Sequence, residues 1–402
     1  MTPLILQFKK VTPLYLTIFM LGCFAFSPQM QALSPPPDGG YPNGNTAEGD
    51  SALAGLTTGS FNSAFGFLSL LSNGSASFNT GVGAGALLLN SASENTATGA
   101  GALFSTTSGG DNAADGAFAL FSNVDGLRNN AVGSNALVLH TTGNFNNAVG
   151  AFALSSDTSG VSNDAFGDGA LSSNTTGLNN TAARDSALTF NTTGNANTAF
   201  GFAALLHNTT GIGNIALGFD AGINVTTANN VTCINHVGQN VSSTTWVSNV
   251  FGVATQSGTT APVIVSDSGQ LGTVVSSERF KKDIATMDKA SEAILSLRPV
   301  TFHYKTDTKS TPQFGLIAED VAKVNPSLVI PDKEGKPYTV RYDQVNAMLL
   351  NEFLKEHKAF LEEHRTVEEL KKEVAALRAG LQKVSAQLEA SKPAPQVADS
   401  NY

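Results

Sequence analysis

A glycine returns every seventeen residues through the middle of this chain, and that period limits what the chain can fold into. Gly49, Gly66, Gly83, Gly99, Gly116, Gly133, Gly150, Gly167, Gly201 and Gly218 mostly close N-x-A-x-G stretches. One step is 16 residues, and one of 34 holds Arg184 in the glycine slot. Three residues after the glycine most units carry Ala-Leu, as in Ala136-Leu137 and Ala153-Leu154. Ten residues after it most carry a second glycine, such as Gly143, Gly160 and Gly177. Eleven such units fit between about residues 45 and 225. A short fixed period means a solenoid or array. Helical repeats need longer units, and two glycines per unit would interrupt them. The pattern therefore predicts one β-coil per unit. Stacked at about 4.8 Å, the coils would make a rod on the order of 50 Å long.

Each coil offers little apolar bulk: one Leu, a Val or Phe, and two Ala. That is thin for a single chain, so three chains around a shared axis are expected to bury the Ala and Leu faces. Thr141-Thr142, Thr175-Thr176, Thr192-Thr193 and Thr209-Thr210 fall at one register. Such rows either ladder coil to coil or present a flat face to ice or a glycan. Asp115, Asp168, Asp185 and Asp220 are scattered and do not make a calcium-binding series. The six histidines are isolated, and no metal-ligand spacing or paired acids for glycoside hydrolysis can be picked out. No metal and no cofactor are expected. The repeat resembles the head repeats of trimeric autotransporter adhesins, with their N-x-A-x-G-x-x-A signature, although those heads use shorter coils.

Charge divides the chain sharply. Residues 33–275 carry two basic groups, Arg128 and Arg184, against thirteen acids, a net −11. Residues 276–402 carry nineteen of each sign. A break of this kind marks a domain boundary near residue 275. The whole chain carries −9, which argues against a nucleic-acid partner, because phosphate binding needs clustered Lys and Arg. At the start, Lys9 and Lys10 precede an apolar run from Leu14 to Phe26, the length of a signal h-region. Cleavage is expected near Ala32, so the mature chain is secreted or displayed at the cell surface. Leu21-Gly22-Cys23 is a weak lipobox. Only lipidation of Cys23 or a retained signal would bring a membrane into play. The one other cysteine, Cys233, reads as a small buried hydrophobe.

Beyond the repeats, residues 226–275 form a transition, with Val263-Ile264-Val265 and Val274-Val275 reading as short strands around Asp267-Ser268-Gly269. The charged region opens with Ser276-Ser277-Glu278-Arg279-Phe280-Lys281-Lys282-Asp283-Ile284. Leu295-Ser296-Leu297-Arg298-Pro299-Val300 follows, then Phe314-Gly315-Leu316-Ile317-Ala318-Glu319-Asp320-Val321, Asn325-Pro326-Ser327 and Val340-Arg341-Tyr342-Asp343. This order resembles the C-terminal intramolecular chaperone domain of phage tail spikes and endosialidases, over about residues 276–390. The resemblance implies a domain that trimerises, helps a trimeric β-fibre fold and then cuts itself off through a Ser/Lys dyad. The dyad maps onto Ser276 and Lys281, and the cut onto Val275–Ser276. Ser277 stands where that family usually has Asp or Asn.

The chemistry follows from the residue types. A serine hydroxyl needs a base, and a lysine serves only if burial or a nearby cation favours its neutral form. Arg279 and Lys282 are such cations. Five residues on one α-helix would set the two side chains about 140° apart, so the dyad needs a turn or a strand end. The bland alternative makes Ser276 a helix N-cap and Lys281 a solvated surface group.

Val367, Leu370, Val374, Leu377, Leu381, Val384 and Leu388 alternate steps of three and four, the a/d seam of a coiled coil.

The expected fold is mainly β with an α-helical C-terminus. A signal peptide (1–32) and linker (33–44) precede the solenoid (45–225) and transition (226–275). A small α+β chaperone domain (276–345), a coiled coil (346–391) and a loose tail (392–402) follow. The leading expectation is an exported homotrimeric fibre, with a possible glycan or cell-surface ligand, released by a single-turnover serine autoprotease. The alternatives are a surface adhesin with an uncleaved trimerisation foot, or a monomeric solenoid that binds ice or glycan.

Overall fold

The computed structural model describes residues 41–391, which form two compact units divided between Gly258 and Thr259. The export signal with Lys9, Lys10, Cys23 and Ala32, most of the 33–44 linker, and the 392–402 tail lie outside the described residues.

The first unit is a parallel β-solenoid. Thirteen three-residue strands, from β1 (Thr46–Glu48) to β13 (Thr245–Val247), stack in chain order into one sheet. Each pairs in register with the strand one coil on, as Asn130↔Asn147, Ala131↔Ala148 and Val132↔Val149. The coil geometry therefore runs past residue 225, where the sequence signature fades. The coil of 16 residues keeps the same register, Thr80↔Thr96, because its missing residue is taken from the second turn. At about 4.8 Å per step the thirteen strands span about 58 Å.

The core differs from the expected one. Ala and Leu are buried inside each coil of a single chain, and Ala131, Ala136 and Leu137 have no exposed surface. No neighbouring chain is needed to cover them. The Val or Phe counted into the core points the other way: Val132, Val149, Phe166 and Phe200 end their strands on the outer face. An interior this small is filled by amides instead.

One asparagine per coil, from Asn45 to Asn214, is buried, and these side chains hold the stack together. In the middle of the stack, Asn146 Nδ2 donates to Asn129 Oδ1 at 3.1 Å and to the Gly160 carbonyl of its own coil at 2.8 Å. Its Oδ1 accepts from the Asn163 backbone N–H at 3.0 Å and from Asn163 Nδ2 at 3.2 Å. The carbonyl-to-N–H link recurs at every step up to Val231, which donates to Asn214 Oδ1 at 2.8 Å. Asn240 closes the C-terminal end, where its Oδ1 accepts from the N–H groups of Thr226, Thr227 and Ala228.

The leucine is also explained by the backbone. Ten stacked leucines, Leu53 to Leu205, have φ between 48° and 54°, in the left-handed region. A β-branched side chain would crowd its own backbone there, which is why this core position is Leu and never Val or Ile. The glycine slot is stricter: Gly150 has φ 135°, and a Cβ on it would lie 2.3 Å from the Gly167 carbonyl oxygen. Arg184 occupies the same slot at φ 105° and is exposed.

The threonine rows ladder. The hydroxyls of Thr141, Thr175, Thr192 and Thr209 donate to carbonyls one coil on, at 2.8–3.1 Å. Only the second threonine of each pair is exposed. Cys233 takes an alanine's place facing the core and is fully buried.

The second unit carries three two-stranded antiparallel sheets. β14 (Val263–Val265) pairs with β15 (Leu271–Thr273), so the hairpin's second strand lies before Val274-Val275. β16 (Val300–Phe302) pairs with β17 (Gln313–Gly315), and β18 (Val329–Pro331) with β19 (Pro337–Val340). Helix α1 (Ala318–Val324) precedes β18, and α2 (Tyr342–Ala390) ends the described chain. A small core of Ile294, Val321, Leu328, Val329, Val340, Val345 and Met348 ties the start of α2 to α1 and the β18–β19 hairpin. From Glu356 onward every residue of α2 is exposed, including the whole 3-4 seam. Among the described residues no helix is long and apolar enough to cross a membrane.

Two outcomes follow for the solenoid. Asn146→Ala leaves a buried N–H and a buried carbonyl without partners, and at about 1–3 kcal/mol for each such group it should lower stability by roughly 3 kcal/mol in denaturant unfolding. Arg184→Gly removes an L-residue from a left-handed backbone, a relief of about 1–2 kcal/mol, and should raise the melting temperature.

Candidate functional site

The stretch that carries Ser276 and Lys281 has almost no regular structure. Ser276 lies in irregular backbone, Ser277 is extended, and a single 3-10 turn, Glu278–Phe280, follows. Two backbone bonds make that turn: Phe280 N–H donates to the Ser277 carbonyl at 3.0 Å, and Lys281 N–H to that of Glu278 at 2.9 Å. Lys281 leaves the turn in extended conformation. The reversal turns its side chain back over the turn, and Nζ donates to Ser276 Oγ at 3.1 Å.

The turn thus brings the two side chains within hydrogen-bond reach, which one α-helix would not do. Ser276 does not serve as an N-cap; the capping position belongs to Ser277, whose side chain makes no cap bond. Val275, on the other side of the peptide bond in question, is 56 % exposed. Of the two supporting cations, Arg279 lies over the Phe280 ring, 4.7 Å from its centroid, and Lys282 is exposed. Every residue from Thr259 to Thr286 is exposed. The single chain therefore supplies the contact between nucleophile and base, but none of the burial that favours a neutral amine.

Residues 276–330 match the family model of the chaperone of endosialidase. The match opens at Ser276 itself and takes in the Ser276–Lys281 turn, the β16–β17 hairpin and α1. It is shorter than the span of about 276–390 over which the sequence resembles that domain. No curated protein and no solved structure matches the chain. The β-solenoid that precedes this match in the chain fits the repeats of tail-spike-like proteins.

A second polar cluster in the chaperone unit was missed by sequence reasoning. Ser291, fully buried on the 3-10 helix Asp288–Ser296, donates to the Glu352 carboxylate on α2. Asn351 Nδ2 donates to Ser291 Oγ at 2.7 Å, and Lys355 Nζ reaches both Ser291 Oγ, at 3.3 Å, and Glu352 Oε1, at 2.7 Å. The cluster clasps the 3-10 helix to α2. Its only trace in the sequence is N-E-x-x-K at helical spacing, which is common on solvated helix faces. Ser291 lies sixty residues away from it.

The hydrogen bond from Lys355, then that from Ser291, holds the Glu352 carboxyl below the usual glutamate range. A depressed carboxyl contributes stability that is complete above the unfolded-state pKa and is lost as pH falls through the folded-state value. Stability of the full chain should therefore fall on acidification below the ordinary glutamate range, and Glu352→Gln should flatten that part of the profile. Denaturant midpoints measured across acid pH check this.

Proposed function

We propose that this protein is an exported, homotrimeric spike- or fibre-like rod whose C-terminal chaperone segment aligns three chains and then releases itself. The observation that carries the reading is the 3.1 Å contact from Lys281 Nζ to Ser276 Oγ at the point where the family match begins. In this reading Lys281 takes the hydroxyl proton of Ser276 as Oγ attacks the Val275 carbonyl. The Val275–Ser276 amide bond breaks, its nitrogen leaves as the α-amine with that proton, and an ester to Oγ remains. Water hydrolyses the ester, giving a Val275 carboxylate and a free Ser276 hydroxyl.

Assembly supports the chemistry. The exposed dyad needs cover to make a base of its lysine, and a second and third chain could supply it. The α2 seam supports self-association as well: Leu370, Leu377, Leu381 and Leu388 are 52–75 % exposed on a helix of about 74 Å, which suits a parallel coiled coil. Release would then trap the rod kinetically. A glycan or other cell-surface ligand is the natural target of such a rod, although the first threonine of each pair is already used between coils.

The test is the intact mass of the refolded chain beside Ser276→Ala and Lys281→Ala, read at several protein concentrations. Two fragments meeting at Val275–Ser276, absent in both variants and favoured by concentration, are expected. A single uncut trimer in all three would leave the chaperone segment as a permanent foot under an adhesin. A single uncut monomer would remove the trimeric reading too.

A further inference from the structure

Asn45 to Asn214 is not the only buried polar column of the solenoid. A second runs eleven residues further along each coil, and its upper part is again amide on amide. Asn191 Nδ2 donates to Asn174 Oδ1, and Asn208 Nδ2 to Asn191 Oδ1, each at 2.8 Å. Near its middle the amides give way to His140 and, one coil on, Asp157, both without exposed surface. His140 Nδ1 lies 2.6 Å from Asp157 Oδ2, and His140 Nε2 lies 2.8 Å from the Gly143 carbonyl. A carbonyl only accepts, so Nε2 carries a hydrogen. One proton is then shared between Nδ1 and the carboxylate, and the pair is neutral as a whole. Asp157 Oδ1 accepts from Asn174 Nδ2 at 2.7 Å. The carboxylate is thus held from both sides, while Asn123 Oδ1, one coil below His140, has no hydrogen-bond partner.

We propose that the His140–Asp157 pair is a register pin, which makes one stacking order of otherwise interchangeable coils acceptable. Units that differ little can loop out seventeen residues and restack with every amide column intact, a failure to which repeat chains are open. The pair forbids that at the centre. If the coil carrying His140 is skipped, Asp157 meets the neutral Asn123 amide and a carboxylate is buried with its main partner gone. If the coil carrying Asp157 is skipped, the imidazole meets Asn174. A polar group that fixes register in a core is the best-attested use of such groups. The pin acts within one chain, whereas the proposed trimeric chaperone levels three chains, so the two devices stand or fall separately.

The geometry also sets an asymmetry. Asp157→Asn keeps every bond: the new amide donates to Nδ1 of a neutral imidazole and still accepts from Asn174. His140→Asn, bonded through Nδ2 to the Gly143 carbonyl as the other amides of the column bond to theirs, turns its Oδ1 toward the Asp157 carboxylate, two acceptors with no proton between them, and should destabilise far more. The deciding variant is His140→Asn with Asp157→Asn, which completes the amide column. Refolded from denaturant as the full chain, the wild type should give one protease-resistant rod. The double variant should give a mixture in which proteolysis cuts within looped-out seventeen-residue units.

A second variant moves the pair up one coil, by His140→Asn, Asp157→His and Asn174→Asp together, and should restore the single species. A double variant that refolds to one uniform species as readily as the wild type overturns the proposal. So does a shifted pair that misfolds as the double variant does. Should the double variant not fold at all, a shifted pair that refolds to one species supports the pin.

Discussion

The link from an asparagine side chain to the backbone N–H of the next coil is the interaction on which the rod depends. Each coil is too short to enclose a conventional core, and its interior holds little beyond two alanines and one leucine. The buried amide makes up the deficit. It satisfies a carbonyl of its own coil and a donor of the next, so a missing partner anywhere leaves buried polar groups open on two levels. The repeat's invariance at this position is a hydrogen-bonding requirement before it is a packing one.

Other features follow from the tightness of the turns. A leucine in left-handed conformation and a glycine approached closely by the next coil's carbonyl are local costs accepted ten or so times over. They persist because stacking over-determines them. The same uniformity creates the folding hazard, since coils that fit everywhere can fit in the wrong place. The proton-sharing His140–Asp157 pair, set among neutral amides, is the proposed answer to that hazard within one chain.

Much of the architecture was legible in the residues. The seventeen-residue period specified a β-coil solenoid, because two turns in seventeen residues leave no room for helices. The 3-4 seam specified a long helix, and the residue order from Ser276 pointed to the chaperone family. What misled was the assignment of faces. Strand residues alternate sides, and the buried one is the middle alanine, so Val132 and Phe166 lie outside. Apolar content alone favoured putting them inside.

Sequence by itself determined the period and the turn positions, since these rest on spacing and residue type along the chain, while the candidate dyad came from the resemblance of the residue order after Val275 to the chaperone domain. Tertiary structure alone decided which partners meet. His140 and Asp157 are ordinary residues until stacking sets them 2.6 Å apart in an apolar and amide interior. Ser291 is one serine among many until α2 brings Glu352 and Lys355 to it. Lys281 reaches Ser276 only because one 3-10 turn reverses the chain between them. Contacts of this kind depend on how coils and turns close in space, which spacing along the chain does not encode.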